Sequence, residues 1–441
     1  MTISGLLGKG LAFAALLPLT LNAPALARDV AQTAGDTVRL TVEDLPAPNA
    51  TPSVSNKPVP VDRPAKAPLQ VPAGFRATLF RDHVENARNL LVLPDGGVLV
   101  AQQRPGTLTL LRDTDGKGDG KGEADESWLW AGGFDKPFGL AFHEGFVYVA
   151  DTEAVWRLPW REGATTAPGE RQRLTPPGAL GGREGHDTRS LAIAPDGKHF
   201  YVGVGSAANL AEEDPPRATI QEFPIEGLMG DGTPDGGEAR AIATGLRNPV
   251  GMAFRPGSSD LYAVVNERDG LGDGLAPDFF TRIEPGGFYG WPYAYAGPNP
   301  QPGFADKRPD LVARTIVPDV LLESHSAPIG MVFADRLNGP ARYRTGAFVA
   351  LHGSSSRSEP VGYTVVFVPF EGKKPAGGYE VFASGFRLPN ENDGDKRPLT
   401  WGRPAGLAIA KDGSLLIADS RGSVWRVSYT GSSARKLSGK R

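Results

Sequence analysis

One unit recurs six times in this chain, and the recurrence limits the folds open to it. Each copy runs from a polar or proline-containing segment into a short apolar run: NLLVLPDG from residue 89, GLAFHEG from 139, SLAIAPDG from 190, GMAF from 251, GMVFADR from 330 and GLAIAKDG from 406. Their strand starts, Leu90, Leu140, Leu191, Met252, Met331 and Leu407, lie 50, 51, 61, 79 and 76 residues apart. Five copies are soon followed by a second apolar run that ends in polar or glycine-rich sequence, as in VLVAQQRPG, VYVADTE and LLIADSRG, while the fifth copy delays that run to FVALHGSSSR. Such spacing suits a unit of four short strands with loop insertions in the fourth and fifth copies. Helical periodicity is missing and 57 Gly and 40 Pro punctuate the runs, so the expectation is an all-β chain, a six-bladed β-propeller with four-stranded antiparallel blades. A pair of β-sandwiches would not explain the sixfold recurrence. The last unit is one strand short, and GFRATLF at 74–80 is expected to complete it, closing the ring with the start of the domain.

The ends of the chain read differently. Residues 1–27 have a lysine, an apolar run too short to span a membrane and Ala25-Leu26-Ala27 as a small-residue cleavage site, which predicts a secretory signal and export to a periplasm, with no membrane segment left after its removal. Residues 28–70 are rich in Pro, Ala, Val and Thr and are expected to be a disordered linker; 71–430 form the propeller and 431–441 a disordered basic tail. The absence of Cys removes disulfides, thiolate metal sites and covalently attached c-type haem. A net charge of -3 without a basic block gives no footprint for nucleic acid.

If the repeated strand lies innermost and the next one returns, the segments before the first and after the second share a face around the axis. The segments before the strands carry Asp135, Lys136, His186, Asp187, Arg247, Asn248, His325 and Arg403. A ring of His, Arg and Lys at one mouth suits a poly-anion. His186 has two readings, a general base whose pKa sits near neutrality or a loop histidine capping a strand end. Arg247 and Asn248 either bond loop carbonyls or meet a flat anionic ligand. The loop 266–278, with Glu267, Arg268 and Asp269, suits calcium or is simply solvated, and DTDGKGDGKGEADE matches a calcium loop at Asp115, Asp119 and Glu126 except that Lys117 stands where a ligand is needed. GVGSAA at 203–208 mimics a dinucleotide loop, but EEDPP follows where a helix should run.

Five segments in order, GHDTRSLAI, RNPVGMAF, EPGGFYGWPY, FVALHGSSSRSEPVGYTVV and GRPAGLAIAKDG, resemble the glucose/sorbosone dehydrogenase family of pyrroloquinoline quinone (PQQ) enzymes, most of all its L-sorbosone branch, over about residues 70–430. The resemblance implies a soluble quinoprotein that binds PQQ and calcium in the top-face channel, oxidises a sugar or aldehyde, and passes electrons to a separate acceptor, a quinone or a cytochrome. It makes His186 similar to the family's base, Arg247 and Asn248 similar to the pair that contacts quinone and substrate, and Arg403 similar to a cation for a PQQ carboxylate, with calcium held at 266–270, partly through backbone carbonyls. Where sorbosone-type sequences read HGSWNRS this chain has HGSSSRS, leaving Arg357 as the cation there. Two other functions suit a propeller: a calcium-dependent lactone hydrolase, which needs metal-ligating side chains from several blades, and a non-catalytic module that binds carbohydrate or protein.

Overall fold

The PDG and KDG motifs build hairpin turns. Asp95, Asp196 and Asp412 each accept the backbone N–H two residues on, at 3.1, 3.0 and 2.9 Å, and the glycine that follows each aspartate takes a φ of 93°, 70° or 81°, a region closed to most side chains. The chain therefore reverses after each repeated strand, and the returning strand lies antiparallel to it. The computed structural model describes residues 1–2, 33–65, 69–113, 123–225, 239–388 and 397–431. Most of the segment expected to be a signal and of the expected basic tail lies outside these, as do Asp115 and Asp119.

The protein is all-β, with many four-stranded antiparallel sheets. Among the described residues, six sheets hold four or more strands, each beginning with a repeated strand: Ala87–Val92, Gly139–His143, Arg189–Ile193, Pro249–Phe254, Pro328–Phe333 and Pro404–Ile409. Each of these first strands touches that of the next sheet, and the sixth touches the first. The second strands Val98–Gln102, Leu261–Val265 and Leu415–Asp419 are buried throughout, which is why they read as continuous apolar runs rather than alternating ones. In the last sheet Phe75–Arg81 pairs antiparallel with Ser423–Tyr429, Phe75 opposite Tyr429, as the one-strand deficit predicted.

Where neighbouring first strands meet, the residue just before each strand start decides how close they come. Four of the six are glycine. A Cβ on Gly330 would lie 2.1 Å from the Ala405 carbonyl oxygen, and one on Gly406 2.4 Å from Cα of Asn89. The other two use the position for bonds between sheets: Asn89 Nδ2 donates to the Phe138 carbonyl at 2.9 Å and Ser190 Oγ to that of Pro249 at 3.1 Å. One residue earlier, Phe138, Val250, Ile329 and Ala405 meet as a buried apolar cluster drawn from four different sheets. Because Gly330 faces backbone that cannot rotate away, Gly330→Val is expected to destabilise the protein by about 3 kcal/mol. Urea unfolding monitored by tryptophan fluorescence checks this; an unchanged midpoint would mean that the two sheets are not in tight contact.

The segment before the domain departs from the sequence expectation. Residues 33–65 follow a defined path instead of forming a disordered linker. Thr37–Val38 adds an edge strand to Tyr379–Glu380, Val59–Pro60 runs parallel to Leu399–Thr400, and Asn56 donates from Nδ2 to the carbonyls of Arg357 and Ser358 at 3.1 and 3.0 Å. Apolar content misleads here because the arm is held by backbone pairing on exposed sheet edges rather than by a core of its own. Its prolines also reduce the entropy lost on ordering.

Candidate active site

The loops before the first strands and after the second strands do share a face, since they bond to one another. Thr152 N–H donates to the Asp135 carbonyl, Ser206 N–H to Arg247, Asn266 N–H to Asn248 and Ser420 N–H to Arg403, all at 2.8–3.0 Å.

His186 enters this face with its tautomer set. Its Nδ1 lies 2.8 Å from the Ser206 carbonyl oxygen, and a carbonyl only accepts, so Nδ1 carries the hydrogen and Nε2 keeps the lone pair. Burial, then the Arg247 guanidinium, pulls its pKa down to about 4, well below the near-neutral value expected from sequence, so the ring is neutral at ordinary pH. Two arginines that the sequence reading missed stiffen the loop: Arg189 donates to the carbonyls of Leu180, Gly182 and His186 at 2.7–2.9 Å, and Arg217 to that of Gly181 at 2.5 Å. The signal for Arg189 was a cation inside an apolar strand start. GVGSAA, set aside as a dinucleotide loop, supplies Gly205 and Ser206. A Cβ on Gly205 would sit 2.5 Å from Asn248 Oδ1 and 2.6 Å from His186 Cβ, so this glycine lets His186 and Asn248 converge.

Asn248 is buried and its Oδ1 has no hydrogen-bond partner among the described residues, an acceptor left for a ligand. Arg247 is committed to the scaffold: Nε and Nη2 donate to the carbonyl and Oδ1 of Asn209 at 3.1 and 2.9 Å, and Nη1 donates to the Glu267 carbonyl at 2.8 Å. Asn209 also exchanges bonds with the backbone of Asp269 and accepts from Trp291 Nε1 at 3.1 Å. It thereby ties four loops together.

The side chains of the three residues expected to hold calcium, partly through their backbone carbonyls, are bonded to neighbours. Glu267 and Arg268 form an ion pair at 2.7 Å with side chains 1% and 0% exposed, and Arg268 Nη1 donates to Gln301 at 3.2 Å. Asp269 Oδ1 meets His325 Nδ1 at 2.9 Å, and His325 Nε2 lies 3.0 Å from the Gly272 carbonyl oxygen. Burial draws the His325 pKa down, but the bonds to Asp269 and Gly272 outweigh it and the net shift is upward. With both nitrogens donating, His325 is an imidazolium that has no lone pair to act as a base. Behind it, burial pushes Asp278 up to about 7 against the N–H groups of Glu267 and Ala327. Glu126 stands opposite Arg112 in an outer strand, far from the shared loops. Among the described residues no three His, Asp or Glu side chains converge as a metal cage.

Opposite His186 the mouth is cationic. Arg403 donates from Nε to the His352 carbonyl at 3.0 Å and from Nη2 to the Gly353 carbonyl at 2.6 Å. His352 donates from Nδ1 to the Pro404 carbonyl at 2.9 Å; burial, then Arg403 and Arg88, hold its pKa well below the usual imidazole range. Lys136 pairs with Asp187, next to His186. Arg357, expected in the same ring, donates from Nη1 to the Ser324 carbonyl at 3.4 Å and bears on Glu323, whose carboxyl burial pushes up and Arg357 pulls back; its own carbonyl accepts from the arm residue Asn56.

A family model described as TrAA12-like matches residues 69–277 and 305–430. The chain belongs to the TrAA12-like family. It is 25% identical over 373 residues to an uncharacterized protein of Borreliella burgdorferi, covering 82% of this chain and 91% of that one. It is 30% identical over 228 residues to a protein of Coprinopsis cinerea named pyrroloquinoline quinone-dependent pyranose dehydrogenase, a match spanning 42% of this chain and 30% of that protein. The PQQ domain of a pyranose dehydrogenase from the same fungus, solved in its holo form, superposes with a TM-score of 0.67 at 22% identity, over 85% of this chain and all of that domain. The TrAA12-like assignment and this fold agree with the resemblance carried by the five sequence segments.

Proposed function

We propose that this chain is a PQQ-dependent sugar oxidoreductase, a six-bladed propeller that binds the quinone at the shared mouth of its loops. The observation that carries the reading is His186: a neutral imidazole with its Nδ1 hydrogen fixed on Ser206 and Nε2 bare, across a mouth from buried guanidiniums. The cyclic contact of the six first strands supports the blade count. Bound PQQ would supply a two-electron acceptor for the hydride leaving a sugar carbon. Its fit is supported by the chemistry of the donors, Arg403 and Lys136, for carboxylates. His186 Nε2 takes the hydroxyl proton of the substrate as hydride departs, and Asn248 Oδ1 accepts from a second substrate hydroxyl. Arg247 keeps the loops carrying Asn209 and Glu267 in place.

Calcium fits less well, because the side chains expected to ligate it are bonded to Arg268 and His325, and no step here runs through it. A lactone hydrolase would need metal-ligating side chains from several blades, and among the described residues no three His, Asp or Glu side chains converge. Within the proposal, the sequence segments favour an L-sorbosone or aldose type of substrate, a separate quinone or cytochrome as acceptor, and export to the periplasm. Adding PQQ to the apoprotein and following the quinone absorbance as aldoses and L-sorbosone are added is expected to show binding and then bleaching. Protein that binds PQQ but reduces it with no sugar or aldehyde would defeat the catalytic reading.

A further inference from the structure

The arm at 33–65 reaches the rim of the mouth as well as the sheet edges. It lies outside the residues matched to the TrAA12-like family, and its middle, 46–56, runs across two loops of the shared face. On the loop after the second strand of the fourth sheet, Thr51 Oγ1 accepts from Asp273 N–H at 2.7 Å and Ser53 Oγ from Gly272 N–H at 3.2 Å. Asn49 N–H donates to the Leu271 carbonyl there at 2.9 Å. So close an approach needs glycine: a Cβ on Gly272 would sit 2.6 Å from the Thr51 carbonyl oxygen, and one on Gly274 2.7 Å from Pro46 Cγ. On the corresponding loop of the fifth sheet, the buried Asn56 donates from its backbone N–H to the Ser355 carbonyl at 2.8 Å and from Nδ2 to those of Arg357 and Ser358. Ser358 N–H joins the two loops by donating to Asp273 Oδ1 at 2.9 Å. Gly272 is thus gripped from both sides, by the arm at its N–H and by His325 Nε2 at its carbonyl. From there the bonds continue inward: His325 Nδ1 meets Asp269, the backbone of Asp269 exchanges bonds with Asn209, and Asn209 accepts from Arg247.

We infer that residues 46–56 of the arm are a positioning element of the site, clamping the loops 269–274 and 355–358 together and so holding Asp269, His325 and Asn209 in register at the mouth. Thr51, Ser53 and Asn56 carry this role, and they act through the loops rather than on a ligand. Their loss loosens the seat of a ligand without removing a reacting group from it. That the ligand is a sugar beside PQQ rests on the function proposed above.

Three variants of the full chain test this. Thr51→Val removes one acceptor and almost no volume, and Thr51→Ser restores it. Arg63→Met loosens the arm where Arg63 meets Asp82 and Ser423 at the closing sheet, in neither loop. Amide hydrogen exchange of the ligand-free protein is followed at Asp269 and Ser358, whose N–H groups bond Asn209 and Asp273 and not the arm. Exchange at both is expected to be about 10-fold faster in Thr51→Val, the share of one hydrogen bond, with wild-type rates in Thr51→Ser and Arg63→Met. Oxidation of an aldose by the PQQ-loaded protein is then expected to show KM raised about 3- to 10-fold in Thr51→Val, kcat within about twofold, and neither changed in the other two. Unchanged exchange at Asp269 and Ser358 in Thr51→Val overturns the clamp whatever the activity. Equal acceleration in Arg63→Met also overturns it, since the arm would then add only general stability. Faster exchange with an unchanged KM removes the arm from the site. Faster exchange in a protein that oxidises no sugar keeps the clamp and removes the functional reading. If Thr51→Val fails to fold, Ser53→Ala, which frees the Gly272 N–H, decides by the same two measurements.

Discussion

Replacing His186 with glutamine is expected to leave PQQ bound and to slow reduction of the quinone by substrate about 10²- to 10⁴-fold, the share that a positioned base contributes. The backbone N–H of residue 186 still donates to the Ser206 carbonyl, so the loop held by Arg189 and Arg217 should keep its shape while the lone pair at Nε2 is lost. Stopped-flow reduction of the bound quinone measures the step directly. A wild-type rate in the variant would make His186 a loop residue, and His325 could not replace it because both of its nitrogens are donors. The charge state gives a second measurement. Below its pKa the imidazolium has no lone pair, so the rate falls on the acid side. With that pKa near 4 in the ligand-free protein, an NMR titration of the imidazole should show protonation some two units below the ordinary value of about 6.5. An anion bound opposite should then raise it. A titration at 6.5 without ligand would mean that the ring is not held in the buried setting described.

Glu267→Ala should produce the largest loss of stability, about 3–5 kcal/mol, because it leaves the Arg268 guanidinium buried without its partner. The measurement is chemical denaturation, run with calcium and again with a chelator. If Glu267 served a calcium ion, calcium would stabilise wild type by mass action and the variant would lose that gain. An ion-pair role predicts the same loss in both conditions. A pronounced calcium dependence in wild type that disappears in Glu267→Ala would restore Glu267 as a ligand. Replacing both partners, Glu267→Met with Arg268→Leu, should recover most of the stability, since an apolar pair carries no buried charge.

The periodic features of the fold were legible because they are local. Leu90, Leu140 and their counterparts mark the first strands of the six sheets that hold four or more strands among the described residues, and the missing partner of the last unit pointed to residues 74–80, where the pairing with Ser423–Tyr429 is found. Site placement was legible to the same depth: residues just before a strand start must lie on one face, and His186, Asn248, Lys136 and Arg403 do. Side-chain direction was not. Arg357 and Arg403 look alike in sequence, yet one donates to the Ser324 carbonyl and the other to those of His352 and Gly353, which depends on packing contributed by distant segments. Nor does the sequence reveal that the side chains of Glu267 and Asp269 pair with Arg268 and His325. Arg88 escaped notice because it lies within a strand, where an arginine reads as a solvent-facing residue unless the strand is known to be innermost. The arm at 33–65 was misjudged for the same kind of reason, its partners being sheet edges hundreds of residues away.

Pairing Phe75 with Tyr429 also sets an order of events during synthesis. The earlier sheets draw on nearby sequence and can assemble as they emerge from the ribosome, whereas Phe75–Arg81 has no partner until almost the whole domain has been made. The ring must therefore stay open throughout translation, with this strand's backbone groups and the faces on either side of the gap exposed, and its last step is the contact most distant in sequence and slowest to find. A growing chain in that state has an unprotected edge that another copy can occupy, so dependence on a chaperone, or the exchange of this one strand between copies, should be concentrated at the closing sheet.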